Sequence, residues 1–171
     1  MYKLLLTALL GAGLYAVLWG QPGTEPLSIR AHLVATPPVI DGIPDETVWE
    51  EVAPATNFWQ HLPYDTLIAE GQTEVRMVYD AEYLYVAVKC HRINDQMSVE
   101  SLRRDYSFGN NDNITLVFDT YNDQTNAFVF GINPYGVRRE ALIANGGRIT
   151  DDFNSAWDNK WRGEARIFPT F

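Results

Sequence analysis

The stretch DNITLVFDTYNDQTNAFVFGINPYGVRREALIA, residues 112–144, decides the fold class. Apolar side chains recur at every second residue in its first two segments, at Ile114, Leu116, Phe118, Phe128, Phe130 and Ile132. Turn-forming residues at 121–124 and 133–136 separate these segments from each other and from a third segment at 137–144. A period of two with short turns indicates antiparallel β-strands.

The rest of the chain follows the same pattern. Residues 73–80 and 83–91 form a second alternating pair joined by a tight turn, and no long window shows a helical period. Residues 92–111 and 145–163 are long polar loops, and EARIF at 164–168 starts a last strand. We therefore expect an all-β, antiparallel β-sandwich of the jelly-roll or immunoglobulin-like kind. The last strand has no successor to pair with, so we expect the sandwich to be truncated at its C-terminal strands.

The first twenty residues have the features of a secretory signal peptide. Lys3 precedes an apolar run at 4–18, and a small residue, Gly20, follows. An uncleaved N-terminal anchor is the alternative. Residues 21–32 are then a linker and first strand, and 33–171 are the sandwich. We expect export to the periplasm, the outer membrane or the cell surface.

Charge and cysteine content narrow the possible functions. The formal net charge is −9, so a nucleic-acid partner is not expected, because such partners require a basic face. Cys90 is the single cysteine, which excludes an intrachain disulfide. Its strand-like surroundings predict a small buried core residue.

The acidic stretch VIDGIPDETVWEEV, residues 39–52, is interpreted as a turn followed by a short helix. Asp41-Gly42 is a turn signal, and the next residues suit a helix that turns Trp49 inward. A structural calcium ion held by Asp41 or Asp45 is the alternative, since carboxylate oxygens are its ligands. Catalysis is not expected, because no second carboxylate is placed across a cleft and no catalytic motif occurs.

Arginine pairs and tryptophans supply the binding candidates. RRD at 103–105 and RRE at 138–140 carry planar forks that bind carboxylates; they pair either with local acids or with an acidic sugar or partner domain. Trp157 and Trp161 lie four residues apart in a polar loop, either as platforms for sugar rings or as anchors of the loop on the core.

Three segments, 35–60, 73–90 and 112–120, together resemble the N-terminal half of a family 9 carbohydrate-binding module. The shared pattern is an Asp-Gly start with Asp and Trp following, a YD-x-x-YLYV hairpin and a DNITLVFD strand, and the resemblance covers about residues 33–168. It implies a β-sandwich that binds glycan chain ends, often with structural calcium, attached to exported glycan-degrading enzymes. On this pattern the family's clamping tryptophan falls near Gly109, its acidic contact on Thr115 and its arginine on Gly131, and its asparagine contact is retained as Asn133.

A narrower resemblance covers RRDYSFGNNDNITLVFDTYNDQTNAFVFGINPYGVRREALIANGG and the following SAWDNKW. These segments are similar to the N-terminal domain of a large family of Gram-negative outer-membrane proteins, where the sandwich precedes a membrane β-barrel of uncertain function. Such a domain would carry more chain after residue 171.

We therefore expect non-catalytic glycan binding by an exported domain of a larger envelope protein or glycan-degrading enzyme. The predicted contacts are Trp157, Trp161, Arg104, Asp105 and Asn133. The rival interpretation is an accessory domain that docks to its own outer-membrane β-barrel and binds no sugar.

Overall fold

The computed structural model describes residues 28–94 and 96–169. The predicted signal peptide, 1–20, and most of the linker lie outside these residues. The strands are β1 His32–Leu33, β2 Thr73–Tyr79, β3 Leu84–Cys90, β4 Ile114–Phe118, β5 Ala127–Ile132, β6 Arg138–Ile143 and β7 Phe153–Asn154. One short helix, α1 Thr47–Glu50, and two single 3₁₀ turns, Phe108–Asn110 and Thr150–Asp152, complete the regular structure of the described part.

The first sheet has the order β1-β2-β3. Strands β2 and β3 form the predicted antiparallel hairpin, with Val75 opposite Val88 and Tyr79 opposite Leu84. One Asp80 carboxylate oxygen accepts the backbone N–H groups of Glu82 and Tyr83, both at 2.8 Å, and so closes the turn. Strand β1 joins this sheet in parallel with β2, which departs from the purely antiparallel expectation.

The acidic stretch forms the predicted turn and helix, which cover the first sheet. Gly42 takes a positive φ of 85°, and the Asp41 carboxylate accepts the Ile43 N–H at 2.9 Å. Trp49 is buried in α1 and packs in a core cluster with Val52 and Val78. The prediction that this tryptophan faces inward is confirmed.

The second sheet has the order β4-β5-β6-β7. Its register places Leu116 opposite Phe130 and Phe130 opposite Glu140. Paired residues share a face, so the predicted alternating apolar residues of β4 and β5 do lie on one side of the sheet. We call this side the aromatic face. Strand β7, which falls within the predicted polar loop at 145–163, pairs with β6.

The all-β class and the two-sheet architecture of a β-sandwich are thus confirmed. The predicted strand at 164–168 is wrong, because these residues form no strand in the structure. They instead belong to a C-terminal segment, 161–168, which contacts both the second sheet and the part of the chain that carries the first. On the side of the second sheet, Arg138 of β6 donates to the Trp161 carbonyl at 2.6 Å. Arg166 Nε donates to the Asp41 carbonyl at 3.1 Å, and Arg92 donates to the Phe168 carbonyl at 2.7 Å.

Cys90 is exposed, which contradicts its predicted place in the core. It is the last residue of β3 and lies opposite Thr73, the first residue of β2. The strand-like sequence around it predicts an extended backbone, but it does not show that another layer covers the end of the hairpin. Among the residues that the structure describes, no helix is both long and apolar enough to cross a membrane.

Candidate functional site

The loop 101–111 runs along the open edge of β6 and brings the two arginine pairs together. The Asp105 N–H donates to the Arg138 carbonyl at 3.1 Å, and the Asp105 carboxylate accepts the Glu140 N–H at 3.2 Å. Asp105 has a φ of 59°, a left-handed conformation that Asp tolerates better than most residues. Asp105 thus takes the place of a neighbouring strand at this edge.

Arg104 lies on the aromatic-face side of that edge. Its Nη2 contacts both Glu140 and Asp158, and its Nε lies 3.9 Å from Asp105. Glu140 is only 1% exposed, whereas the side chain of Arg104 is 47% exposed. The second carboxylate oxygen of Glu140 accepts the Asn159 N–H at 3.1 Å. Arg104 therefore neutralises a buried acid while still reaching solvent, and this cluster fixes the loop that carries the tryptophans.

Trp157 and Trp161 both pack on the aromatic face. The Trp157 ring lies 5.3 Å from Phe128 and 5.9 Å from Phe130, and the Trp161 ring lies 5.3 Å from Phe130. The Arg138 guanidinium lies 5.5 Å above the Trp161 ring. Both tryptophans remain half-buried. They anchor the loop on the core, which is one of the two predicted roles, and they leave part of each indole at the surface; the role as a sugar platform stays a prediction.

An open depression lies beside Trp161. Its volume is about 600 Å³, and it is lined by Ile40, Gly136, Arg138, Arg162, Gly163 and Glu164. Arg138 connects the two features, because it stacks on Trp161 and also donates to the Trp161 carbonyl at 2.6 Å. A polar depression with arginine donors beside an indole matches the mixed polar and apolar chemistry of a sugar ring.

Asn133 is positioned for a structural task. It is 1% exposed, and its amide oxygen accepts the N–H groups of Tyr135 and Val137, both at 3.0 Å. Its Nδ2 donates to the Ser101 carbonyl at 3.3 Å. These bonds hold the turn between β5 and β6 and attach the 101–111 loop to it. The buried amide is therefore unsuited to direct contact with a ligand in this conformation.

The two acids predicted to hold calcium lie in the turn before α1. Asp41 uses one carboxylate oxygen for the Ile43 N–H, and Asp45 is exposed. No group of three or more His, Cys, Asp or Glu side chains with metal-ligand spacing occurs among residues 28–94 and 96–169. Calcium therefore stays a prediction.

A second cluster, on the opposite face of β6, was not predicted. Arg139 lies under Phe108, with its guanidinium carbon 4.9 Å from that ring and 5.9 Å from the ring of Tyr106. Strand alternation places Arg139 on the side opposite Glu140. The sequence signal was therefore present in RRE, but the path of the 101–111 loop was needed to bring Tyr106 and Phe108 to it.

Comparison of the chain with models of protein families, with curated proteins and with solved structures found no match.

Proposed function

We propose that the protein is a non-catalytic glycan-binding domain of an exported envelope protein. The observation that supports this is the surface formed by Trp157, Trp161 and Arg138 on the aromatic face, next to the depression. Partly exposed indoles offer apolar faces to the C–H groups of a sugar ring, and the arginines donate hydrogen bonds to its hydroxyls. The sequence resemblance to family 9 carbohydrate-binding modules also implies glycan binding, but the contacts that it implies on Thr115 and Gly131 lie on the opposite face of the sheet.

Each predicted residue has a distinct part in the proposal. Trp161 and Arg138 contact the ligand, and Trp157 holds the loop on Phe128 while exposing part of its ring. Arg104 borders the site as a half-exposed donor, although its contacts with Glu140 and Asp158 also hold the loop in place. Asp105 and Asn133 support the site from beneath through backbone contacts.

A glycan array with Trp161→Phe tests the proposal. Phenylalanine keeps much of the packing on Phe130 but reduces the aromatic surface, and we expect retained folding with at least about a tenfold loss of affinity. Trp59→Phe is the matched control, because Trp59 is an exposed tryptophan that pairs with Ile68 outside both sheets. A folded wild-type protein that binds no glycan on the array would overturn the proposal.

Docking to a partner domain is the second candidate, and a specific feature favours it. The hairpin 56–70, joined by the backbone pairing of Trp59 with Ile68, projects exposed apolar side chains. These are Phe58, Trp59, Leu62, Tyr64, Leu67 and Ile68. A cluster of this kind is typical of a protein interaction site. The partner that we propose is the protein's own outer-membrane β-barrel.

Hydrogen exchange distinguishes docking from free exposure. We expect amides of 56–70 to exchange more slowly in the whole protein in its native membrane than in the isolated domain. Tyr121, an exposed aromatic residue between β4 and β5, lies in a control loop whose exchange should be equal in both. Equal exchange of 56–70 in the two samples would exclude docking through this hairpin.

We also propose the turn before α1 as a structural calcium site. If Asp45 is a ligand, calcium raises the melting temperature of the wild type above its value in EDTA, and Asp45→Asn removes that increase. Asp65→Asn, in the hairpin 56–70, is the control for general charge effects. Equal melting temperatures with calcium and with EDTA would exclude the site.

A further inference from the structure

Arg139 is a buried arginine that makes no salt bridge in the described part of the chain, although the charge of Asp105 acts on it from a longer distance. It is 9% exposed, and its Nη1 atom has no hydrogen-bond partner among the residues that the structure describes. Its pKa is lowered from the ordinary arginine value because burial removes water from the guanidinium. A desolvated guanidinium with no carboxylate in direct contact is unfavourable, since buried charges in proteins are normally paired. This arrangement is therefore suited to receive an anion.

The backbone is shaped to hold this side chain. Arg139 lies directly opposite Gly131 in the register of β5 and β6. A Cβ atom at Gly131 would meet Arg139 Cγ at 2.6 Å and Cδ at 3.0 Å. The glycine thus lets the arginine stem lie flat across β5. A side chain of any size at this position would displace the guanidinium.

Two aromatic side chains from the 101–111 loop surround the guanidinium. Tyr106 is buried and its hydroxyl, like Arg139 Nη1, has no partner in the described part of the chain. Phe108 covers the guanidinium, and its ring is 58% exposed. The loop is tied to β4 at this point, since Asn113 Nδ2 donates to the Phe108 carbonyl at 3.1 Å. Two buried donors without a partner in the described part of the chain therefore belong to side chains that are in contact with each other, and the guanidinium of one of them lies under the exposed Phe108.

We propose that Arg139 binds the carboxylate of an acidic ligand. The guanidinium offers a planar fork that matches the two oxygens of a carboxylate, and Tyr106 adds a hydroxyl donor beside it. Phe108 forms the wall of the site and packs against the apolar part of the ligand. This site lies on the face of β6 opposite Trp161 and does not depend on the glycan proposal.

Titration with sodium glucuronate, followed through the arginine Nε–Hε resonances, tests the site. Glucose is the neutral control, and sodium acetate at equal ionic strength separates the carboxylate from the sugar ring. We expect glucuronate to shift the Arg139 resonance and glucose to leave it unchanged. A shift with acetate also supports the proposal, because the carboxylate is then sufficient. No shift of Arg139 with glucuronate would overturn it.

Two variants of the site and one control variant connect the resonance to affinity. Arg139→Lys keeps the charge and loses the fork, and it should weaken glucuronate binding roughly tenfold in calorimetry. Arg103→Lys, an exposed arginine in the same loop, should bind as the wild type does. Phe108→Ala changes an exposed side chain, so it is expected to fold even if Arg139→Lys does not, and it should weaken binding severalfold. Loss of glucuronate binding in Trp161→Phe but not in Arg139→Lys or Phe108→Ala would assign the ligand to the other face and overturn this inference alone.

Discussion

Glu46 joins the backbone at Val39, just before the turn at Asp41-Gly42, to the buried Trp49 through its two carboxylate oxygens. One accepts the Val39 N–H at 2.6 Å and the other accepts the Trp49 indole N–H at 3.1 Å. Glu46→Ala removes both acceptors and leaves a largely buried indole N–H unpaired. We expect the free energy of unfolding to fall by about 1–2 kcal/mol in chemical denaturation. The exposed helical residue Glu50 is the control, and Glu50→Ala should change stability by less than about 0.5 kcal/mol. Equal losses in the two variants would contradict this role.

Single residues also show what the sequence alone could not predict about the site. The four-residue spacing of Trp157 and Trp161 predicts a shared surface, and both do lie on the aromatic face near Phe130. Asn133 is marked by the family resemblance, yet three hydrogen bonds use its amide inside a turn. A residue type and its spacing predict chemistry, whereas access to solvent depends on chain segments far away in sequence.

At the level of elements, Asp105 replaces a missing strand along β6. Asp105→Val loses the carboxylate that accepts the Glu140 N–H, and it places a β-branched residue at a φ of 59°. Left-handed strain and the lost bond together should lower the free energy of unfolding by about 2 kcal/mol or more. Asp105→Asn keeps an acceptor and tolerates the conformation, so it should cost less than half as much. Denaturant titration of both variants checks the order, and a more stable Asp105→Val would refute it.

The carboxylate of Asp152 holds the 3₁₀ turn before β7 by accepting hydrogen bonds from Asn145, Arg148 and Ile149. The Ile149 backbone N–H, with smaller contributions from Asn145 and the Arg148 N–H, lowers the pKa of its carboxyl below the ordinary value of 3.8. Because the folded pKa is lower than the unfolded one, this contribution is fully present above the unfolded pKa, which is close to that ordinary value, and is lost as the pH falls through the folded value.

Asp152→Asn should therefore be less stable than the wild type near neutral pH, and the difference should shrink as the pH falls below about 4. Denaturant titrations between pH 7 and pH 3 measure both free energies. Asp151→Asn, at the exposed neighbouring acid, should cost less than about 0.5 kcal/mol near neutrality. A difference for Asp152→Asn that stays constant into acid would contradict the assignment.

Elements that depend on local pattern were predictable, and those that depend on a distant partner were not. Strict alternation on both sides of Asp80 predicts the β2–β3 hairpin, and the structure confirms it. The strand β7 is two residues long, too short to show a period, and exists because β6 offers an open edge. The segment 164–168 has the opposite character: it has a strand-like sequence and no strand to pair with in the described structure.

Across the whole molecule, the C-terminal segment 161–168 connects the turn before α1 with the second sheet. A Cβ atom at Gly163 would lie 3.3 Å from Ile132 of β5, and Arg166 reaches the Asp41 carbonyl. The two sheets are thus connected by a segment that forms no β-strand. The position of one sheet relative to the other therefore depends on a few close contacts of this segment. In the turn before α1, the closest of these contacts is made at Gly42.

Gly42→Ala tests that connection. At Gly42 a Cβ atom would lie 2.8 Å from Arg166 Cγ and 3.1 Å from the Ala165 backbone carbon, at a φ of 85°. The left-handed conformation and the close contact should together lower the free energy of unfolding by about 2 kcal/mol. Gly109→Ala is the matched control, because its added methyl meets no atom within 4 Å and its φ is not positive; it should be neutral or slightly stabilising. Thermal unfolding of the two variants gives the comparison. If Gly42→Ala matches Gly109→Ala, the segment 161–168 does not press on this turn, and the two sheets are held in place by other contacts.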